Sequence, residues 1–130
     1  MKKVIYSAIV LTAFLMGCAK EGLDGDATLV LKPAHHGSSI SSTAAYQDSA
    51  FIKFNVKDAP ADPTRDYDAV IVGEIGEDHV HVPNVKWGDY FVYCTGWDTT
   101  INARVTGGIY VKVKRSERKN EIVVDVPVTE

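Results

Sequence analysis

The four histidines of the chain occur as two tight pairs, at His35 and His36 and at His79 and His81. Imidazole nitrogens ligate Zn, Cu, Fe and Ni, so two or three of them on one surface form a candidate transition-metal site. Glu77 and Asp78 stand close to the second pair and offer oxygen ligands. All four histidines are therefore candidate metal ligands, and Zn or Cu is the expected metal.

The spacing of the second pair predicts a shared direction. In a strand over Glu77–Val82, His79 and His81 point the same way, about 6.5–7 Å apart along the backbone. Val80 and Val82 then face the core. The first pair follows a proline in a glycine-containing loop, where a ring can turn toward a partner. We predict one site that combines His79 and His81 with His35 or His36. The alternatives are a hydrogen-bonded histidine cluster without metal and histidines that share no site.

Aromatic side chains suggest a different function, the docking of a glycan or a protein partner. Five of them are candidates for a platform, since Trp and Tyr combine an apolar body with a polar group: Trp87, Trp97, Tyr46, Tyr67 and Tyr110. Trp87 stands at a predicted turn and Trp97 at a predicted strand end. At these positions we expect the tryptophans to fill the ends of the core instead of forming a docking platform.

Patterns typical of enzymes are weak in this chain. Serines lie beside the first histidine pair, but no Gly-x-Ser-x-Gly elbow surrounds them. Asp66 and Asp68 resemble the solvated edge of a strand. Cys94 shares strand parity with Tyr90 and Val92, which predicts a buried and unreactive thiol. We expect no enzymatic activity.

Short β-type segments separated by Gly, Pro, Asn or Asp turns make up the chain that must position these residues. Residues 34–50 are expected to form a loop or one helical turn around Ser42–Gln47. Seven strands are predicted: Ala27–Lys32, Phe51–Lys57, Tyr67–Val72, Glu77–Val82, Tyr90–Thr95, Ala103–Lys114 and Glu121–Val128.

The regular strand spacing and the lack of a useful helical period predict an all-β fold over residues 27–130. The expected architecture is a single seven-stranded antiparallel two-sheet sandwich. The segment Val85-Lys86-Trp87-Gly88-Asp89-Tyr90 resembles the turn and tyrosine of tyrosine-corner sandwiches. From about Val80 to Asp98 the chain also resembles transthyretin-like domains, including carboxypeptidase regulatory-like domains and collagen-adhesin B repeats. The resemblance implies a transthyretin-like or Ig-like architecture and no particular function.

The N-terminal segment carries a targeting signal. Lys2 and Lys3 precede thirteen uncharged residues, 4–16, too few to cross a bilayer, which takes about 20 apolar residues. The sequence Leu15-Met16-Gly17-Cys18 resembles the lipobox of bacterial lipoproteins. The resemblance implies that residues 1–17 are a cleaved signal peptide and that the Cys18 thiol is lipidated.

A lipoprotein signal predicts the location of the mature protein. Residues 18–26, with Gly22 and Gly25, are expected to be a flexible tether between the lipid and the domain. The protein should therefore be held at a membrane of the cell envelope, most simply the outer membrane, facing the periplasm or the cell surface.

Charge and cysteine content exclude several classes of partner and site. Removal of residues 1–17 takes two lysines from a chain of net charge −3, which leaves −5 and disfavours nucleic acid. With Cys18 committed to lipid, Cys94 has no partner for a disulfide or a cysteine-based metal site. The expected partners are the membrane and an unidentified protein or glycan.

Overall fold

A computed structural model describes residues 21–61 and 65–130. The predicted signal peptide, residues 1–17, and Cys18 lie outside the described residues. The described part holds one 3₁₀ helix, Arg115–Glu117, and contains no helix long and apolar enough to span a membrane. Its strands are β1 (Ala27–His35), β2 (Ser38–Ser39), β3 (Ser49–Phe54), β4 (Ala69–Val72), β5 (Val80–Val85), β6 (Gly88–Asp98), β7 (Ala103–Val113) and β8 (Glu121–Pro127).

The strands form two sheets around one apolar core. In the first sheet β1 pairs with β2, β5 and β8; the second has the order β4-β3-β6-β7. The prediction of an all-β, two-sheet fold is confirmed. Two details of it were wrong. The described residues form eight strands, not seven, and β8 pairs with β1 in parallel, so the sheets are not wholly antiparallel.

Alternating side chains supply the core, as period-two patterning requires. On β5, Val80 and Val82 are fully buried while His81 between them is exposed. On β6, Val92 and Cys94 are fully buried in the same manner. The predicted parity of both strands is confirmed.

The extra strand, β2, arises from a tight hairpin. His36 has φ 50° and Gly37 has φ 80°, and two successive positive φ angles are typical of a two-residue type I′ turn. This turn pairs His35 with Ser38. β1 runs through Pro33, whose carbonyl accepts a hydrogen bond from the Ile40 amide at 2.9 Å. No helical turn forms around Ser42–Gln47.

The end of β8 is held against both sheets. The Val128 amide donates to the Ala34 carbonyl at 3.0 Å, and Thr106 and Thr129 exchange two backbone hydrogen bonds of 2.8 Å. Gly107 permits this approach, because a Cβ there would overlap the Pro127 carbonyl oxygen and lie 2.9 Å from the Val128 Cα. The residues after β8 are thereby brought to the β1–β2 turn.

The segment before β1 lies against the turn between β5 and β6. The Tyr90 hydroxyl donates to the Lys86 carbonyl at 2.7 Å, which is the upstream bond expected of a tyrosine corner. It also accepts the Gly22 amide at 3.0 Å. The Gly25 amide donates to the Asn84 carbonyl at 2.9 Å. Residues 22–25, part of the expected tether, thus have fixed partners on the domain.

Candidate metal centre

The first histidine pair sits on the β1–β2 turn with its two rings side by side. Consecutive residues of a strand normally point to opposite faces. The left-handed backbone at His36 breaks this alternation, and the ring centroids of His35 and His36 lie 4.1 Å apart, with 41° between the ring planes. One tight turn therefore gathers two imidazoles from neighbouring positions.

Asp98, at the end of β6, fixes the orientation of His35. The Nδ1 atom of His35 lies 2.7 Å from Oδ2 of Asp98, and the His35 side chain is only 4 % exposed. The carboxylate also accepts the Thr100 amide at 2.8 Å and the Thr100 hydroxyl at 2.6 Å. These bonds from Thr100 and then His35 lower the pKa of Asp98 to about 2. A charged acceptor on Nδ1 favours the tautomer whose Nε2 lone pair is available to a metal.

Glu130, which follows β8, is a third potential ligand. Ligand atoms of His35, His36 and Glu130 all lie within 4.8 Å of one another. Atoms bonded to one Zn²⁺ at about 2.0–2.2 Å lie no more than about 4.4 Å from one another, so a separation within 4.8 Å makes the three residues candidate ligands of one ion. Three protein ligands leave a fourth position of a tetrahedral ion for water or another molecule.

His35 and His36 line a cleft of about 370 Å³ between the β1–β2 turn and the end of β6. Trp97 lines one wall and donates from Nε1 to Asn102 at 3.3 Å. Tyr46 packs against Trp97 with ring centroids 5.8 Å apart, and its hydroxyl accepts from Arg104 at 2.9 Å. The cleft thus combines two imidazoles with an aromatic wall whose rings are held in place by hydrogen bonds and by packing on each other.

The second histidine pair faces a different cleft. His79 and His81 both line a cleft of about 400 Å³, together with Glu74 and Glu77. His79 lies just before β5, and its Nδ1 is 3.0 Å from Asp78 Oδ1. Among the described residues, neither histidine belongs to a group of three potential ligands within 4.8 Å.

The register of β1 and β5 explains the separation of the two pairs. Val80 pairs with Leu31, and Asp78 forms an ion pair with Lys32 at 3.6 Å. His35 lies three residues farther along β1, beyond the start of β5. The predicted combination of His79 and His81 with the first pair is therefore absent from the clusters of the described part, where the first pair is grouped with Glu130 instead.

Glu130 and Asp98 were not identified as site residues from the sequence. Asp98 carries a weak local signal, an aspartate two residues before a threonine at a strand end, which is typical of a side chain that caps a turn. Glu130 carries none, because its approach depends on the packing of β8.

The aromatic residues do not assemble into one platform. Trp87 precedes β6 and Trp97 lies near its end, so the two tryptophans stand at opposite ends of an 11-residue strand. Tyr67 stacks on Tyr93 with ring centroids 6.1 Å apart. The Tyr110 hydroxyl bonds to Asp89. This dispersal removes the geometric basis for a glycan site made of all five residues.

Two buried ionisable groups lie together in the core. Burial raises the pKa of the Cys94 thiol to about 12, as its predicted unreactive character requires. Asp48 is also fully buried, and within the described residues neither of its carboxylate oxygens has a hydrogen-bond partner. Burial raises the pKa of Asp48 to about 6, and the nearby Ser42 hydroxyl offsets a smaller part of the effect.

No protein-family model, curated protein or solved structure matches this chain at a significant level.

Proposed function

We propose that the protein is a lipid-anchored protein of the cell envelope whose β-domain binds a divalent transition-metal ion. The ligands are His35, His36 and Glu130, and the metal is Zn or Cu. The observation that carries this proposal is the convergence of three ligand atoms within 4.8 Å. The proposed role is metal binding without a catalysed reaction.

The donor set supports a transition metal. Two imidazole nitrogens and one carboxylate suit Zn or Cu, whereas Mg and Ca prefer oxygen-only shells. Asp98 holds one imidazole in place through Nδ1, which is the support that metal-ligating histidines usually have. His36 and Glu130 are exposed, so an ion can enter and leave without opening the core.

Calorimetry with Zn²⁺ and Cu²⁺ on the untagged full chain tests the metal centre. We expect His35→Ala and His36→Ala to weaken binding at least tenfold. His79→Ala and His81→Ala are matched controls that should bind as the wild type does. Protons compete for the imidazole nitrogens, so affinity should fall on acidification. Loss of binding in the controls alone, or in none of the four variants, would refute the proposed ligands.

The lipid anchor rests on Leu15-Met16-Gly17-Cys18 behind a charged and then apolar segment. Two or more acyl chains give stable attachment where one does not. Cells labelled with a fatty-acid analogue should incorporate it into the wild type and not into Cys18→Ser. Equal labelling of both proteins would end the lipoprotein proposal.

We further propose that the domain is a sandwich of the transthyretin-like type. The bond from the Tyr90 hydroxyl to the Lys86 carbonyl supports it, because it has the form of a tyrosine corner. An experimental structure tests the assignment through its strand order.

A further inference from the structure

The end of the domain that receives the N-terminal segment also collects most of its cations. We call this the basic end; six of the eleven Lys and Arg within residues 21–130 belong to it: Lys86, Lys112, Lys114, Arg115, Arg118 and Lys119. Acidic residues are interspersed with these cations: Glu21, Asp24, Asp26, Asp89, Glu117 and Glu121, and also Asp58, Asp66 and Asp68 from the segment that joins β3 to β4 at the same end. Attraction to an anion therefore has to come from a local group of cations and not from the net charge of this end.

A cleft of about 360 Å³ opens at the basic end. Lys112, Lys114 and Arg115 line it together with Trp87, and so do two acidic residues, Glu21 and Asp89. The Arg115 guanidinium lies 5.8 Å from the centroid of the Trp87 ring. All three cations are exposed. Three flexible cations around an amphipathic ring fit an oxyanion held at an apolar boundary.

The covalent chain sets how far this cleft can stand from the anchor. Tyr90 holds Gly22 through its amide, and the Glu21 side chain packs against Gly88 in the cleft wall. Only four peptide steps join Cys18 to Gly22. Fully extended, four residues span at most about 14 Å. A lipidated Cys18 therefore keeps the basic end at the level of the lipid headgroups.

We propose that the basic end docks on anionic phospholipid headgroups, with the phosphate groups seated among Lys112, Lys114 and Arg115. This inference rests on the proposed lipid anchor. Trp is enriched at membrane–water boundaries, and Trp87 is the ring that would meet that boundary. Each basic residue near an anionic bilayer strengthens association about fivefold. Docking fixes the orientation of the domain and turns the metal-binding end, at the opposite end of β6, away from the membrane.

Tryptophan fluorescence tests the docking on the lipidated protein. Trp97→Phe leaves Trp87 as the only tryptophan of the chain, which has two. The protein is reconstituted into vesicles of phosphatidylcholine, with or without phosphatidylglycerol, and Trp87 is quenched with neutral acrylamide. We expect quenching to fall at least twofold in the anionic vesicles, and high salt should abolish the difference.

Matched variants isolate the role of the cleft. Lys112→Gln, Lys114→Gln and Arg115→Gln together should remove the protection of Trp87 from acrylamide that anionic lipid provides. The control combines Lys32→Gln, Lys53→Gln and Arg104→Gln. It removes the same number of positive charges at positions away from the cleft, and anionic lipid should still protect Trp87 from acrylamide. If the cleft variant fails to fold, the salt dependence of quenching in the protein with its cations intact tests the electrostatic docking in its place.

Flotation of each protein with the vesicles reports the anchor separately. If the lipid-modified chain floats but Trp87 is quenched equally in both vesicle types, the docking is refuted and the anchor stands. If the wild type carries no lipid, the anchor is refuted, and the docking is refuted with it.

Discussion

The Nδ1 atom of His35 lies 2.7 Å from Oδ2 of Asp98, although the two residues stand on different sheets. The contact joins the β1–β2 turn to the end of β6 and directs the other ring nitrogen of His35 away from the carboxylate. Through this contact the second sheet orients a proposed metal ligand that lies on the first sheet.

Asp98→Asn should weaken Zn²⁺ or Cu²⁺ binding about 10- to 100-fold while every ligand remains in place. The amide lacks the charge that favours a proton on Nδ1 of His35. Calorimetry on the variant measures the loss. Thr100→Val is the control, because it removes the 2.6 Å hydroxyl bond to the same carboxylate and leaves His35 untouched. If both variants lose metal affinity equally, Asp98 acts by holding the loop at Thr100 and not by orienting His35.

Gly107→Ala should lower both the stability and the metal affinity. The added methyl group overlaps the Pro127 carbonyl oxygen, and forced repacking of this kind costs about 1–3 kcal/mol. The displaced chain carries Glu130 away from the histidines. Gly73→Ala is a milder control, since its nearest contact would be the Ser42 Oγ at 3.1 Å. Unchanged metal affinity in Gly107→Ala would exclude Glu130 as a ligand.

Tyr90→Phe should destabilise the domain by about 1–3 kcal/mol, the cost of buried polar groups left without partners. The substitution removes the donor to the Lys86 carbonyl and the acceptor of the Gly22 amide. Urea midpoints of the two proteins give the difference. Tyr46→Phe, which loses only an exposed bond to Arg104, should change the midpoint little. Equal midpoints for wild type and Tyr90→Phe would show that the hydroxyl is not buried.

The buried carboxyl of Asp48 should make the domain less stable as the pH rises. Its pKa is about 6 in the folded protein and about 3.8 when exposed, so the folded state favours the protonated form. This contribution is complete below about pH 3.8 and is lost as the pH rises to about 6. The difference corresponds to about 3 kcal/mol.

Urea midpoints of wild type and Asp48→Asn between pH 4 and 7 test this sign. The amide cannot ionise, so the variant should lack the fall in stability on that interval. Asp125→Asn, at an exposed position of β8, serves as the control and should keep the wild-type profile. Parallel profiles for wild type and Asp48→Asn would refute the raised pKa.

Strand positions were predictable because period-two burial is a local property. The alternation of Val80, His81 and Val82 and the burial of Cys94 follow from sequence neighbours alone. The parallel pairing of β8 with β1 was not predictable, because Thr28 and Glu121 are far apart in sequence. The predicted strand Ala27–Lys32 ended just before Pro33, but β1 continues to His35, and the Pro33 carbonyl accepts a hydrogen bond from the Ile40 amide.

The proposed metal centre was only half predictable for a similar reason. The pair His35 and His36 was identified by residue type, but the approach of its rings depends on a left-handed residue before Gly37. Choosing Glu130 over His79 as the third ligand requires the register of β1 with β5 and the course of the chain after β8. Both are set by packing between distant segments.

The parallel pairing of β1 with β8 has a consequence for the order of biogenesis. β1 leaves the ribosome before the other strands of the domain, and its parallel partner β8 leaves last. The first sheet therefore cannot be completed on a partial chain. Closing so long a loop before the contacts form is entropically costly, and such topologies fold slowly. We expect the first sheet to stay incomplete until β8 has been synthesised and has paired with β1.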